Sequence, residues 1–108
     1  MVVCIEVELG LFVRINSEGK WVCPVPILLR DHPDFLDRDS NIECGSPFEL
    51  DDYVIETSIA KHGVLGCVNN SYAEAICHAV GRSWKARNSD KIAIMKALGF
   101  DDLANAVR

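Results

Sequence analysis

Val3, Ile5, Val7, Leu9, Leu11, Val13 and Ile15 alternate with Cys4, Glu6, Glu8, Gly10, Phe12, Arg14 and Asn16. A period of two over that length predicts a strand with one buried face. Gly10 sits in its middle, where a bulge or bend is expected. Asn16-Ser17-Glu18-Gly19 carries turn chemistry, and Lys20 to Val25 reads as the returning strand of an antiparallel hairpin. Pro24 and Pro26 have no N–H to donate, so that strand should end there or lie at a sheet edge.

The pattern then lapses. Residues 28 to 45 read as a mostly irregular loop, with turn residues at Asp31-His32-Pro33-Asp34 and an anchor in Phe35 and Leu36. Ser46-Pro47-Phe48-Glu49 has the form of a capping box, so a helix is expected from there to Lys61, stopped by Gly63. The run Tyr53-Val54-Ile55-Glu56-Thr57 competes with it as a strand.

Helical spacing is clearer further on. Tyr72, Ile76, Ala79, Val80 and Trp84 follow one apolar face behind a cap at Asn70 or Ser71, with Glu74, His78, Arg82 and Lys85 opposite. Ser89 or Asp90 should cap Lys91 to Leu98, with Ile92, Met95 and Leu98 inward and Gly99 as the stop. Asp101 opens a short last helix that turns Leu103, Ala104 and Val107 inward. Strands followed by helices predict an α+β fold: an N-terminal antiparallel hairpin or small sheet with three to four C-terminal helices packed on one face. A length of 108 residues suits a single domain, 1–108.

Charge adds a second layer. Residues 30 to 56 hold nine acids against two bases, a net of −7, while residues 82 to 108 hold six bases against three acids, a net of +3. An acidic middle and a basic end predict an electric dipole across the molecule, whose acidic side repels nucleic acid and attracts basic proteins. The five cysteines are an odd number, which suits free thiols better than a disulfide framework. With no basic lead-in to an apolar run and no long apolar helix, a cytoplasmic location without membrane association is expected.

The residues that invite chemistry each fail a specific test. No two cysteines are closer than ten positions, so the short pair on which structural zinc sites are built is missing. Asp37, Asp39 and Asn41 match the first ligands of a calcium loop, but Ile42 stands where the sharp turn needs glycine and Phe48 where a bidentate glutamate belongs. Cys67 precedes a helix that would favour its thiolate, and His32 or His62 would have to supply a base through tertiary structure. Packing of Cys67 with Val64, Leu65 and Val68 is the simpler expectation. Asp51-Asp52 and Asp101-Asp102 suit helix starts, where carboxylates meet the helix dipole. Arg82, Lys85 and Arg87 flank Trp84, but an inward Trp84 makes a nucleic-acid platform the weaker reading. No phosphate-binding glycine loop occurs, and neither a cofactor nor a metal is expected.

What remains is a surface. Asp34, Asp37, Asp39, Glu43, Asp51 and Asp52 are the expected partner-binding residues, on a loop and a helix of one acidic patch. The expectation is a small non-enzymatic protein that binds and neutralises a basic, nucleic-acid-handling partner. Immunity proteins, antitoxins and phage-encoded inhibitors share its size and charge, by analogy only. A thiol-dependent hydrolase or transferase using Cys67, and a structural or assembly subunit, are the alternatives.

Overall fold

The computed structural model describes residues 1–18 and 22–107. Strands β1 (Val2–Glu6), β2 (Leu11–Asn16), β3 (Pro24–Ile27) and β4 (Ser40–Glu49) form one antiparallel sheet in the order β1-β2-β4-β3. Helices α1 (Asp52–His62), α2 (Ala73–Arg82), α3 (Asn88–Ala97) and α4 (Asp101–Asn105) follow. The fold is α+β, as the order of patterns predicts. Among the described residues no helix is long and apolar enough to cross a membrane.

The alternating stretch is two strands rather than one. The carboxylate of Glu6 accepts the N–H of Glu8 at 3.0 Å and of Leu9 at 2.6 Å, folding the chain back over residues 7–10. Gly10 completes the turn at φ 67°, and a side chain there would stand 2.7 Å from the Leu50 carbonyl oxygen. The hairpin is therefore β1–β2, with Val3 opposite Val13. The expected return strand is displaced: Lys20 and Trp21 lie outside the described residues, as does Gly19 of the expected turn. The segment from Pro24 pairs with β4, not β2. It is an edge strand, as its two prolines require.

Ser46-Pro47-Phe48-Glu49 belongs to β4 and starts no helix. Between the pairs Phe12–Phe48 and Arg14–Glu43, β4 spends five steps where β2 spends two, so residues 44–47 bulge. A bulge accommodates proline because it breaks the ladder there anyway. Phe48 settles against Phe12, ring centroids 6.4 Å apart, with the Arg14 guanidinium 4.3 Å from its centroid. That packing outweighs the local cap. The bulge is clasped on both sides: Gly45 N–H donates to the Val22 carbonyl at 3.0 Å, and the Ser83 hydroxyl donates to the Gly45 carbonyl at 2.5 Å.

The core lies between the sheet and α2 and α3. Leu11, Val13 and Ile15 of β2, Ile42 and Cys44 of β4, and Val25 and Ile27 of β3 meet Ile76, Ala79 and Val80 of α2 and Ile94 of α3. Each large apolar side chain fully buried this way contributes roughly 1.5–3 kcal/mol. A smaller cluster of Cys77, Met95 and Ala104 seats α4 on α3. Two helix details differ from the sequence reading. Asn69, not Asn70 or Ser71, caps the 3-10 turn (Asn70–Tyr72) that leads into α2. Helix α3 begins at Asn88, so Asp90 is a buried residue of its first turn, held by Arg87 at 3.1 Å.

Candidate docking surface

Helix α1 is well formed and almost unpacked. Asp51 caps it by accepting the Val54 N–H at 2.9 Å, and Gly63 closes it through an N–H to the Ile59 carbonyl at 2.8 Å. No residue of α1 is buried. Its apolar side chains explain why: Tyr53, Val54, Ile55, Ile59 and Ala60 point around the axis and make no single stripe that the sheet could cover. Only Ile55 is half-buried, near the Gly10 turn, and Leu50 N–H ties the start of the helix to the Gly10 carbonyl at 3.0 Å.

The result is a mixed surface. Tyr53 is 78 % exposed, Ile59 48 %, Val64 73 % and Val7, on the adjoining turn, 84 %. The exposed acids Glu8, Asp51, Asp52 and Glu56 are interleaved with them. A helix of eleven residues is marginal in water by itself, and exposed apolar groups in this number mark a contact surface more than a solvated one.

The six acids singled out from sequence separate into three settings. Asp51 and Asp52 are exposed at the start of α1. Asp34, Asp37 and Asp39 are exposed on the loop between β3 and β4. That loop joins β4 at Ser40, whereas α1 follows its other end, so the two groups lie roughly 20–25 Å apart along the strand. Asp39 is also occupied, accepting the Leu29 N–H at 2.8 Å, and Asp37 pairs with Arg38 at 3.3 Å. Glu43 is buried, at 6 % exposure, on the sheet face away from the helices.

Neither carboxylate oxygen of Glu43 has a hydrogen-bond partner among the described residues. Burial pushes its pKa upward; the Asn16 side chain, close by but outside hydrogen-bonding geometry, works against the shift. Below the ordinary glutamate value the group is neutral folded or unfolded and costs nothing. As pH rises, the unfolded chain ionises first, so stability falls until the raised folded value has been passed. Glu43→Gln is therefore expected to be more stable than the native protein at neutral pH and equal to it in acid. Urea titrations at the two pH values test this, and equal stability at neutral pH would refute it.

The chain matches no protein-family model, no curated protein and no solved structure. Function has to be argued from the surface itself.

The loop acids rest on a second small structure that sequence reasoning missed. His32 is 2 % exposed, with rings of Phe35 and Tyr72 against it at 5.4 and 5.1 Å. Its Nε2 accepts the Asn69 N–H at 2.9 Å, and Nδ1 faces the Leu28 carbonyl at 3.0 Å. The hydrogen therefore sits on Nδ1, and both ring nitrogens are engaged. Tyr72 donates to Asp31 at 2.6 Å and accepts the Leu28 N–H at 3.3 Å, and that bond to Asp31, with burial second, raises its pKa. The one sequence signal was the turn Asp31-His32-Pro33-Asp34. Its long-range partners leave no trace in the local pattern.

Cys67 corrects a packing expectation. It is exposed, and so are Val64 and Leu65. His32, one of the bases considered for it, has both nitrogens occupied elsewhere. Cys44 and Cys77 are buried; burial first, then neighbouring charge, pushes their thiols up to about 12 and about 11. Cys4 is exposed, yet partial desolvation also raises its pKa. Alkylation of the folded protein should modify Cys67 first and Cys4 more slowly, and reach Cys44 and Cys77 only after unfolding. Peptide mass spectrometry reads the order; early labelling of Cys44 would contradict it.

Trp84 is the other reversal. Helix α2 ends at Arg82, so the apolar spacing that runs through Val80 does not extend to Trp84, which is 79 % exposed. The turn carrying it is fixed by Ser83, whose buried hydroxyl accepts the N–H groups of Lys85 and Ala86 at 3.1 and 3.2 Å. Lys85 Nζ lies 5.3 Å from the Trp84 ring centroid.

Proposed function

We propose that the protein is a protein-docking module that presents α1 and the 7–10 turn to a partner with a basic rim and an apolar centre. One observation carries the reading: a capped, regular helix whose side chains include Tyr53, Val54 and Ile59 and none of whose residues is buried. Carboxylates at Asp52 and Glu56 steer a basic surface towards it, and the apolar groups supply the contact. Binding of this kind fits an inhibitor or neutraliser of a basic protein. Asp34, Asp37 and Asp39, at the far pole of β4, then form a separate acidic surface and are not part of the α1 contact.

Capture from an extract of the source cells, eluted by increasing salt, tests the assignment. The double variant Glu56→Lys, Ile59→Ser should lose at least about tenfold in recovery of the proteins held by the native chain, the effect expected of a central contact residue. Asp34→Lys, Asp37→Lys should leave that recovery nearly unchanged. Equal capture by the α1 variant would remove the proposal.

A further inference from the structure

We propose that Cys23 and Cys44 are a reversible redox pair, closing a disulfide in the folded chain by exchange with a low-molecular-weight disulfide such as oxidised glutathione. Their placement is set by the pairs on either side. Pro24 stands opposite Glu43 in the β3–β4 ladder. Two positions on, the Gly45 N–H donates to the Val22 carbonyl at 3.0 Å, and a Cβ on Gly45 would come within 2.3 Å of the Val22 side chain. Cys23 and Cys44 fill the position between. Residues opposed in an antiparallel pair have Cα atoms roughly 4.5–5.5 Å apart, inside the range of about 4.4–6.8 Å that a disulfide spans.

Both side chains lie on the helix side of the sheet: Cys44 belongs to the main core, and Cys23 packs against the same cluster. Among neighbouring charges, Cys23 acts on the Cys44 thiol more strongly than Glu43 or Cys77 does. Cys77 sits in the other cluster, with Met95 and Ala104. Cys23 also holds φ 48°, left-handed backbone that residues other than glycine rarely adopt. Such positions concentrate at functional sites and switch regions.

Exposure sets the order of events. Cys44 has no exposed surface, while Cys23 is half-buried and can be reached from outside. Its thiolate attacks one sulfur of oxidised glutathione, forming a mixed disulfide and releasing one glutathione thiolate. The Cys44 proton passes through solvent to that thiolate, and the Cys44 sulfur attacks the Cys23 sulfur and expels the second glutathione. Two protein thiols are oxidised and one glutathione disulfide is reduced to two thiols, so electrons and protons balance. The Cys44 thiol is pushed up to about 12, which makes its attack the slow step. The mixed disulfide removes the Cys23 charge, one of the groups that hold that value up.

The test is to incubate the folded native protein with oxidised glutathione in mildly alkaline buffer, quench with acid and digest without reduction. Peptide mass spectrometry should find a glutathione adduct on Cys23 first and a Cys23–Cys44 bridge afterwards, with Cys77 still a free thiol. Dithiothreitol should return both thiols. In Cys44→Ala the reaction should stop at the Cys23 adduct, and in Cys23→Ser the Cys44 thiol should stay unmodified. In urea the yield of this bridge should drop severalfold, because the fold no longer places the pair. A Cys23 adduct that never closes, an unreactive Cys23, a bridge to Cys77 in its place, or an equal yield in urea would overturn the inference.

Discussion

Ile42→Ala is expected to lower the unfolding free energy by about 4 kcal/mol. Ile42 has no exposed surface and lies on β4 between Ile15 of β2 and Val25 of β3, under the helices. Strands on both sides hold the backbone in place, so the space left by the lost carbons cannot close. A domain of this size has of order 5–15 kcal/mol in total, so a shift of this size moves the urea midpoint far. Ile59→Ala removes the same atoms from a side chain that is 48 % exposed and should cost within about 0.5 kcal/mol. Comparable losses at the two positions would mean that α1 packs on the core, and the docking surface would go with it.

His32→Leu should cost about 2 kcal/mol, for a different reason. Leucine is similar in bulk and keeps the contacts with Phe35 and Tyr72. It leaves the Asn69 N–H without its acceptor, while the Leu28 carbonyl keeps the Asp31 N–H at 3.2 Å, and a donor orphaned in this way costs about 1–3 kcal/mol. The Asn69 bond also holds the β3–β4 loop to the segment before α2. Limited proteolysis should therefore cut the variant first within residues 28–39, while the native chain resists there. A stable variant with unchanged cleavage would show that apolar packing against Phe35 and Tyr72 alone holds the loop.

The two substitutions test different sources of order. Ile42 reports on burial, which sequence patterns announce. His32 reports on polar closure between segments 37 residues apart, which they do not. The acidic loop is accordingly a built structure, with Asp31 and Asp39 spent on Tyr72 and Leu29. Composition counted those carboxylates together with Asp51 and Asp52, although β4 carries the two groups to its opposite ends.

By itself the sequence determined the features whose causes lie within a few residues. The α+β order, the period-two strands, the edge position forced by Pro24 and Pro26, the helix stop at Gly63 and the inward face of α2 all follow from side-chain spacing and local backbone limits. Only the tertiary structure decided which strands pair: β4 lies between β2 and β3, so the segment from Pro24 joins β4 and not the strand before it. It alone decided that Phe48 joins the sheet, that Glu43 is enclosed, and that Trp84 and all of α1 remain outside. Exposure depends on whether a distant surface arrives to cover a side chain, and an apolar residue reads the same along the chain whether or not it does.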